Sequence, residues 1–493
     1  MVFQNDILAG SSGGSSASSV YKIDQSIRFN KNDSAYMLRT PSSAGSGTAW
    51  TISFWFKLGE TTPTDIRAFL AVDGATNSAN RFRIGINDSS LSGVGSDGQL
   101  FVTAHGTSLM YTNRVFRDPS AWTHVVYTWD SANAVASERQ RLYINGVRET
   151  SFQTSTNPTA SQVIGWNTAN RTSIGASYGV SSGTVIFYAD SYMAEIHNLD
   201  GYSYDPSYFG LFNENGIWIP KEYSGSYGSN GFKIDGRDSA DLADDESGNG
   251  NDFTTSGLAS HDQVADSPTN NFAIYNVLDN YVQGATFSNG NLERTRSASN
   301  RSATMSNLGM NSGKWYCEIY IASHFQATTM LGVQGYRTDA EPEWSGNGVT
   351  NQGVGYYMSN GQKYINGSGS AYGNTYAVGD IIGIALDLDN EFVYFSKNGT
   401  FQDSGDPTSG ASGTGGIDIV TSPANTETGY WFFAVGDGSG NIGSRSSIIN
   451  FGQEGTFAGN VTAGGNSDSN GIGNFKYSVP SGYLALCTKN LGS

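Results

Sequence analysis

The sequence predicts an all-β protein: two antiparallel β-sandwich (jelly-roll) domains joined by a Gly/Asn/Asp-rich connector. Three observations carry that expectation. Glycine supplies 63 of 493 residues, about one in eight where ~7% is ordinary, so turns are frequent. Aromatic residues reach 12% while charged residues reach only 14%, a composition with mass to bury and no charge excess to hold the chain open. Short segments with period-two alternation, each closed by Gly, Asn, Asp or Ser, recur along most of the chain.

Charge narrows the function classes. Lys and Arg number 27 against 44 Asp and Glu, a formal charge of −17. Nucleic acid is excluded as a partner, because phosphate binding needs a basic stripe and no basic cluster exceeds Arg139-Gln140-Arg141. An acidic surface repels anionic lipid, and no stretch approaches ~20 apolar residues, so membrane insertion is not expected. Met1-Val2-Phe3-Gln4-Asn5-Asp6 lacks the basic and apolar regions of a cleaved signal. Cys317 and Cys487 are too few for a disulfide scaffold; they suit a reducing cytosol as small buried hydrophobes.

Residues 1–20 pair an apolar head with the run Ser11–Ser19, which has no side chain able to build a core and reads as a linker. Val2, Phe3, Ile7 and Leu8 then suggest a docking peptide, with a frayed terminus as the plainer alternative.

Residues 21–212 carry the first strand series. Trp50–Phe56, Arg81–Ile86 and Leu100–Ala104 place alternate residues on opposite faces. Trp122-Thr123-His124-Val125-Val126-Tyr127-Thr128-Trp129 precedes Arg141-Leu142-Tyr143-Ile144-Asn145-Gly146, a strand running into an Asn-Gly hairpin turn. This pairing resembles the laminin-G-like, concanavalin A-like jelly rolls, and Tyr192–Gly201 is similar to their closing strand.

Residues 213–270 read as an acidic, Gly/Asn-rich connector. Asp245, Ser247, Asn249 and Gly250 fit the first half of an EF-hand loop, where alternate oxygens reach calcium. Position twelve is Ser256, not the bidentate Glu, so an Asx-rich turn is preferred and structural Ca2+ stays as the alternative; no other cofactor is implied.

Residues 271–493 resume the strand pattern. Gly313-Lys314-Trp315-Tyr316-Cys317-Glu318, Gly379-Asp380-Ile381-Ile382-Gly383 and Phe395-Ser396-Lys397-Asn398-Gly399 resemble a SPRY domain, which implies two sheets packed face to face with variable rim loops, and a C-terminal strand closes the unit. A narrower resemblance joins Gly216–Lys221, Ser247–Phe253, Asp266–Phe272, Ile449–Gln453 and Val479–Thr488 to a large family of bacteriophage virion proteins. It implies a tail or fibre component on the virion surface, synthesised in host cytoplasm, that joins other virion proteins through its N-terminus and binds a host surface glycan or protein; a purely structural capsid decoration or tail adaptor is the alternative, and a polysaccharide depolymerase ranks third. Cyclic assembly, with a trimer preferred, would let weak sites act together.

Catalytic patterns are absent. Gly10-Ser11-Ser12-Gly13-Gly14 matches a nucleophile elbow but lies in linker. Five scattered histidines have no metal-ligand spacing, and no strand carries the spaced carboxylates of a glycosidase. A non-enzyme is expected. Sugar recognition needs flat aromatic faces beside amides or carboxylates. Trp344, Glu343, Asp339, Tyr357, Tyr364 and Tyr372 supply these in the second sandwich, and Trp166 with Asn167 in the first.

Overall fold

The computed structural model describes the chain apart from residues 1–20, 62–64, 74–80, 89–94, 180–182, 281–283, 298–301, 325–328, 336–352, 366–367, 420–428, 438–442 and 493. Its described residues form strands, turns and short 3-10 segments, with no α-helix among them. The chain divides into two compact units between Asn271 and Phe272.

The first unit is a sandwich of two eight-stranded sheets. One runs in the order Val147–Arg148, Gln140–Ile144, Thr123–Asp130, Ala49–Leu58, Ser191–Asp200, Ser26–Phe29, Gln263–Val264, with Phe232–Ile234 also on Ser191–Asp200. The strand expected to close the domain therefore lies in its middle. The other sheet is built on Arg67–Asp73, Phe82–Ile86, Gln99–Ala104 and Thr107–Val115. Alternation does the sorting: Trp50, Ile52, Phe54 and Phe56 face the core, as do Val125, Tyr127 and Trp129. Trp50 and Trp129, directly opposite in register, stack at 5.8 Å and 11°. Asn145 and Gly146 both take positive φ, 48° and 76°, as the predicted hairpin turn requires.

Alternation should leave the outward residues of such a sheet in water, yet the strand Ser191–Asp200 is buried along its whole length. The reason corrects the expected domain boundaries. Residues 213–270 are not a connector but part of the first unit: Phe232–Ile234, Thr254–Ser256 and Gln263–Val264 join its sheets, and Phe232, Ile234, Leu242, Ala243 and Phe253 enter its core.

A buried ion pair fastens the end of this segment. Lys57 Nζ lies 2.7 Å from Asp266 Oδ2, both side chains 0% exposed, and donates to Asn271 Oδ1 at 2.7 Å. Trp122 Nε1 donates to the other Asp266 oxygen at 2.9 Å. Ser267 Oγ and Thr269 Oγ1 donate to the Ile23 carbonyl. A second buried pair, Arg28 with Asp262 at 3.3 Å, repeats the device two strands away.

The second unit packs a seven-stranded sheet with a nine-stranded one. Among the described residues its pairings are antiparallel except that of Leu484–Ala485, which runs parallel to Lys314–Ser323. Asn398 and Gly399, at φ 49° and 81°, turn Phe392–Lys397 into Thr400–Phe401. The tail packs on the same long strand: Glu318, fully buried, accepts the backbone N–H groups of Lys476 and Tyr477 at 2.8 Å each. Burial pushes its carboxyl up to about 7, those two bonds opposing. Asp468 organises the last turns by accepting from the N–H groups of Asn470, Ile472 and Ala485.

Two outcomes follow from these contacts. Lys57→Ala leaves the Asp266 carboxylate buried without its cation, a loss of about 3–5 kcal/mol, read from equilibrium urea unfolding; an unchanged midpoint contradicts the role given to the pair. Cys317 and Cys487 are both buried and form no disulfide, and burial, then the Glu318 charge, pushes the Cys317 thiol well above its ordinary value. A thiol reagent should label neither in the native protein and both after denaturation, whereas rapid native labelling would contradict this.

Candidate functional site

The covered outer face of the first sheet holds a cluster of titratable groups, and one irregularity creates it. Pairing of Ser191–Asp200 with Ala49–Leu58 slips between Ala194 and His197, and Glu195 sits at φ 48°, a left-handed value rare for a non-glycine residue. Met193 and Ile196 both reach the core, while Glu195 and His197 share the outer face. Glu195 Oε2 lies 3.1 Å from His197 Nε2. Its Oε1 accepts from the Tyr21 hydroxyl at 2.9 Å and pairs with Lys233 Nζ at 3.3 Å. Lys233 also pairs with Asp235, and Asp235 with Arg237. Burial pushes the Glu195 carboxyl up, but His197, Lys233 and Tyr21 outweigh it and hold the group at about 2.

Beside it, His124 Nε2 lies 2.8 Å from Ser53 Oγ, the spacing of a nucleophile and its base. The third partner decides otherwise. Trp218 Nε1 donates to His124 Nδ1 at 3.0 Å, and an indole can only donate, so Nδ1 is bare and the ring proton sits on Nε2. Nε2–H therefore donates to Ser53 and cannot take its proton; a base of this kind needs an acceptor behind it, not a donor. Burial, with His197 adding and Glu195 opposing, pushes His124 down to about 3, so it stays neutral. Both histidines are the strand residues expected, but they are bonded polar groups beneath a cover. Among the described residues no group of three or more His, Cys, Asp or Glu is arranged to hold a metal ion.

Several expected binding residues fall elsewhere. Trp166 is 1% exposed, packed on Trp50 and Phe82, with Nε1 donating to Asn198 Oδ1 at 2.8 Å. Asn167 is buried beside it and accepts from Asn198 Nδ2. Their polar flanks resemble a rim loop, but both side chains are buried and the indole belongs to the core of the first unit. Tyr372 is buried too, its hydroxyl accepting the Phe395 N–H at 3.0 Å. Tyr357 and Tyr364 are half-buried, edge to face at 5.4 Å, and pack with Phe432 against Met305, Met330 and Ala434. Asp339, Glu343 and Trp344, and the peptide residues Val2, Phe3, Ile7 and Leu8, lie outside the described residues.

The calcium alternative meets a filled shell. Asp245 accepts from the N–H groups of Lys233, Ser247 and Asn251 and from Ser247 Oγ, and Asn249 Nδ2 donates to the Gly228 and Gly231 carbonyls. These oxygens and amides build the turn and fasten it, and Asp245 is buried instead of solvated.

One feature escaped the sequence reading. Tyr202, Tyr204 and Tyr208 stack in series, centroids 5.5 Å apart at 23° and then 4.0 Å apart at 7°. Asp205 sets the last ring, its carboxylate accepting from Ser207 N–H and Oγ at the start of the 3-10 turn Pro206–Tyr208. A hairpin follows, Gly210–Phe212 with Trp218–Pro220, leaving Leu211, Phe212 and Ile217 exposed. The signal was the spacing Tyr202-Ser203-Tyr204-Asp205-Pro206, which pairs two rings on one face before a turn.

Glu195 has a testable pH signature. Its folded value lies below the ordinary 4.5, so its contribution to stability is complete above that pH and is lost as pH falls toward 2. Glu195→Gln should flatten the acid-unfolding profile across that window; profiles parallel to wild type would contradict it.

Comparison with known proteins agrees with the two sandwiches. Residues 30–196 match the concanavalin A-like lectin/glucanases superfamily, and residues 314–428 match the SPRY domain. The SPRY domain of human HERC1 is similar in structure, at 19% identity and TM-score 0.28, over 36% of this chain and 96% of that one. The heptameric SAP-like pentraxin of Limulus polyphemus is similar at 13% identity and TM-score 0.28, over 38% of this chain and 80% of that one. No curated protein matches the chain. One all-β chain thus carries a concanavalin A-like domain followed by a SPRY domain.

Proposed function

We propose that this is a non-enzymatic binding protein of a bacteriophage virion, a tail or fibre component whose β-sandwiches engage a host cell-surface glycan or protein. The observation that carries binding over catalysis is the Ser53–His124 pair, whose tautomer is set by the Trp218 donor so that no base faces the hydroxyl. Both matched domain types serve as scaffolds for recognition loops, and fold alone licenses no chemistry. The virion setting rests on the sequence motifs, among them Asp266–Phe272 and Val479–Thr488. Assembly as a homo-oligomer, with three copies preferred, would give weak single sites firm attachment, and residues 1–20 would anchor each copy to other virion proteins.

Purified particles and purified protein test this together. Mass spectrometry of particles should find the chain in the virion, light scattering should find an oligomer, and an array of bacterial surface glycans should retain the protein. Presence in particles without glycan or host-cell binding would reduce the role to a structural decoration or adaptor. Release of reducing ends from host polysaccharide would overturn the non-enzymatic reading.

A further inference from the structure

We propose that the tyrosine stack Tyr202–Tyr204–Tyr208, with the neighbouring hairpin residues Leu211 and Phe212, is a binding site for an uncharged glycan chain. This rests on the binding role proposed above and gives it a location and a ligand class.

The first support is the state of the hydroxyls. Among the described residues, none of the three phenol groups makes a hydrogen bond, although their rings are locked in series by stacking. Each phenol both donates and accepts, so the row offers three bonding groups to a polyol without discriminating by charge. Tyr223, packed behind them, is different: its hydroxyl is spent on the Ser226 carbonyl at 2.7 Å.

Local charges are the second support, because the cations beside the stack are already engaged. Asp205 accepts from Ser207, Lys221 Nζ donates to the Ser207 carbonyl at 3.0 Å, and the Arg141 guanidinium donates to Thr128 Oγ1 and Ser203 Oγ. An anionic ligand finds no cation here that is not already in use, and the exposed carboxylates Glu214 and Glu222 of the same segment, unpaired among the described residues, repel it. A neutral sugar needs none.

The third support is apolar surface that stays in place without a ligand. Tyr208 is 42% exposed, Leu211 44% and Phe212 50%. The hairpin beneath them is pinned by Trp218, which meets Phe212 edge to face at 5.0 Å and donates to buried His124. Rigid tyrosines lose little side-chain freedom on binding and present an apolar body with a polar tip. Rings and aliphatic groups suit the C–H face of a pyranose, and the hydroxyl row suits its edge.

The test uses the full chain and the neutral glycan it retains most strongly on an array, titrated by calorimetry. Tyr208→Ser and Tyr204→Phe/Tyr208→Phe should each weaken binding by about tenfold or more, and Tyr357→Ser in the second unit should not. Binding should persist as salt is raised across the range that screens exposed charges. Undiminished binding by Tyr208→Ser, or abolition by salt, overturns this site and leaves the glycan-binding role standing. A wild-type protein that retains no glycan overturns both. Loss of the oligomer in Tyr208→Ser with glycan affinity intact would show the stack to be a subunit contact and overturn the assignment.

Discussion

The first unit depends on the Lys57–Asp266 ion pair. A lysine on the outer face of a central strand has no access to water here, and an uncompensated buried ammonium would cost several kcal/mol. Its pairing with Asp266 and its bond to Asn271 therefore oblige the chain to return across the sheet after residue 200. The return buries Trp55, His124, Ala194 and Leu199 as well, turning a two-layer sandwich into one with a covered outer face. Polar residues in alternating strands usually mark solvent; in this sheet they mark the fastenings of a third layer.

The same cover buries a cluster that resembles catalytic machinery. Below the cover, His124 and Glu195 are pushed to opposite charge states by different neighbours, one neutral and one ionised. Such separation is frequent at active sites, yet each group here has its hydrogen-bonding capacity used by the protein itself. The positive φ at Glu195 serves the bulge that lets two consecutive outward residues meet the cover. Strain and shifted titration point to a site only where a substrate can reach them.

Much of the architecture was legible because period-two patterns and Asn-Gly turns are local signals. Trp50–Phe56 and Lys314–Ile321 could be assigned from their own residues. What failed was any inference about solvent. Trp166 sits between Gly165 and Asn167 and has the flanks of a loop, but its burial is decided by Trp50 and Phe82, more than 80 residues away in the chain. Tyr372 shows the same failure, set by its contact with Phe395. The acidic connector misled for a related reason: Asp245 and Asp266 are in the composition of a solvated loop, while their bonds belong to a core.

Strand order has a consequence for how the first unit forms. Ser26–Phe29 lies between Ser191–Asp200 and Gln263–Val264, so the earliest strand of the sheet finds its partners only after more than 160 and then 230 further residues have been made. High contact order of this kind slows folding and lengthens the time for which strand edges stay open. On the ribosome, the unit cannot close until its fastening segment has emerged, and the interval before that is when a growing chain is most exposed to association with its neighbours.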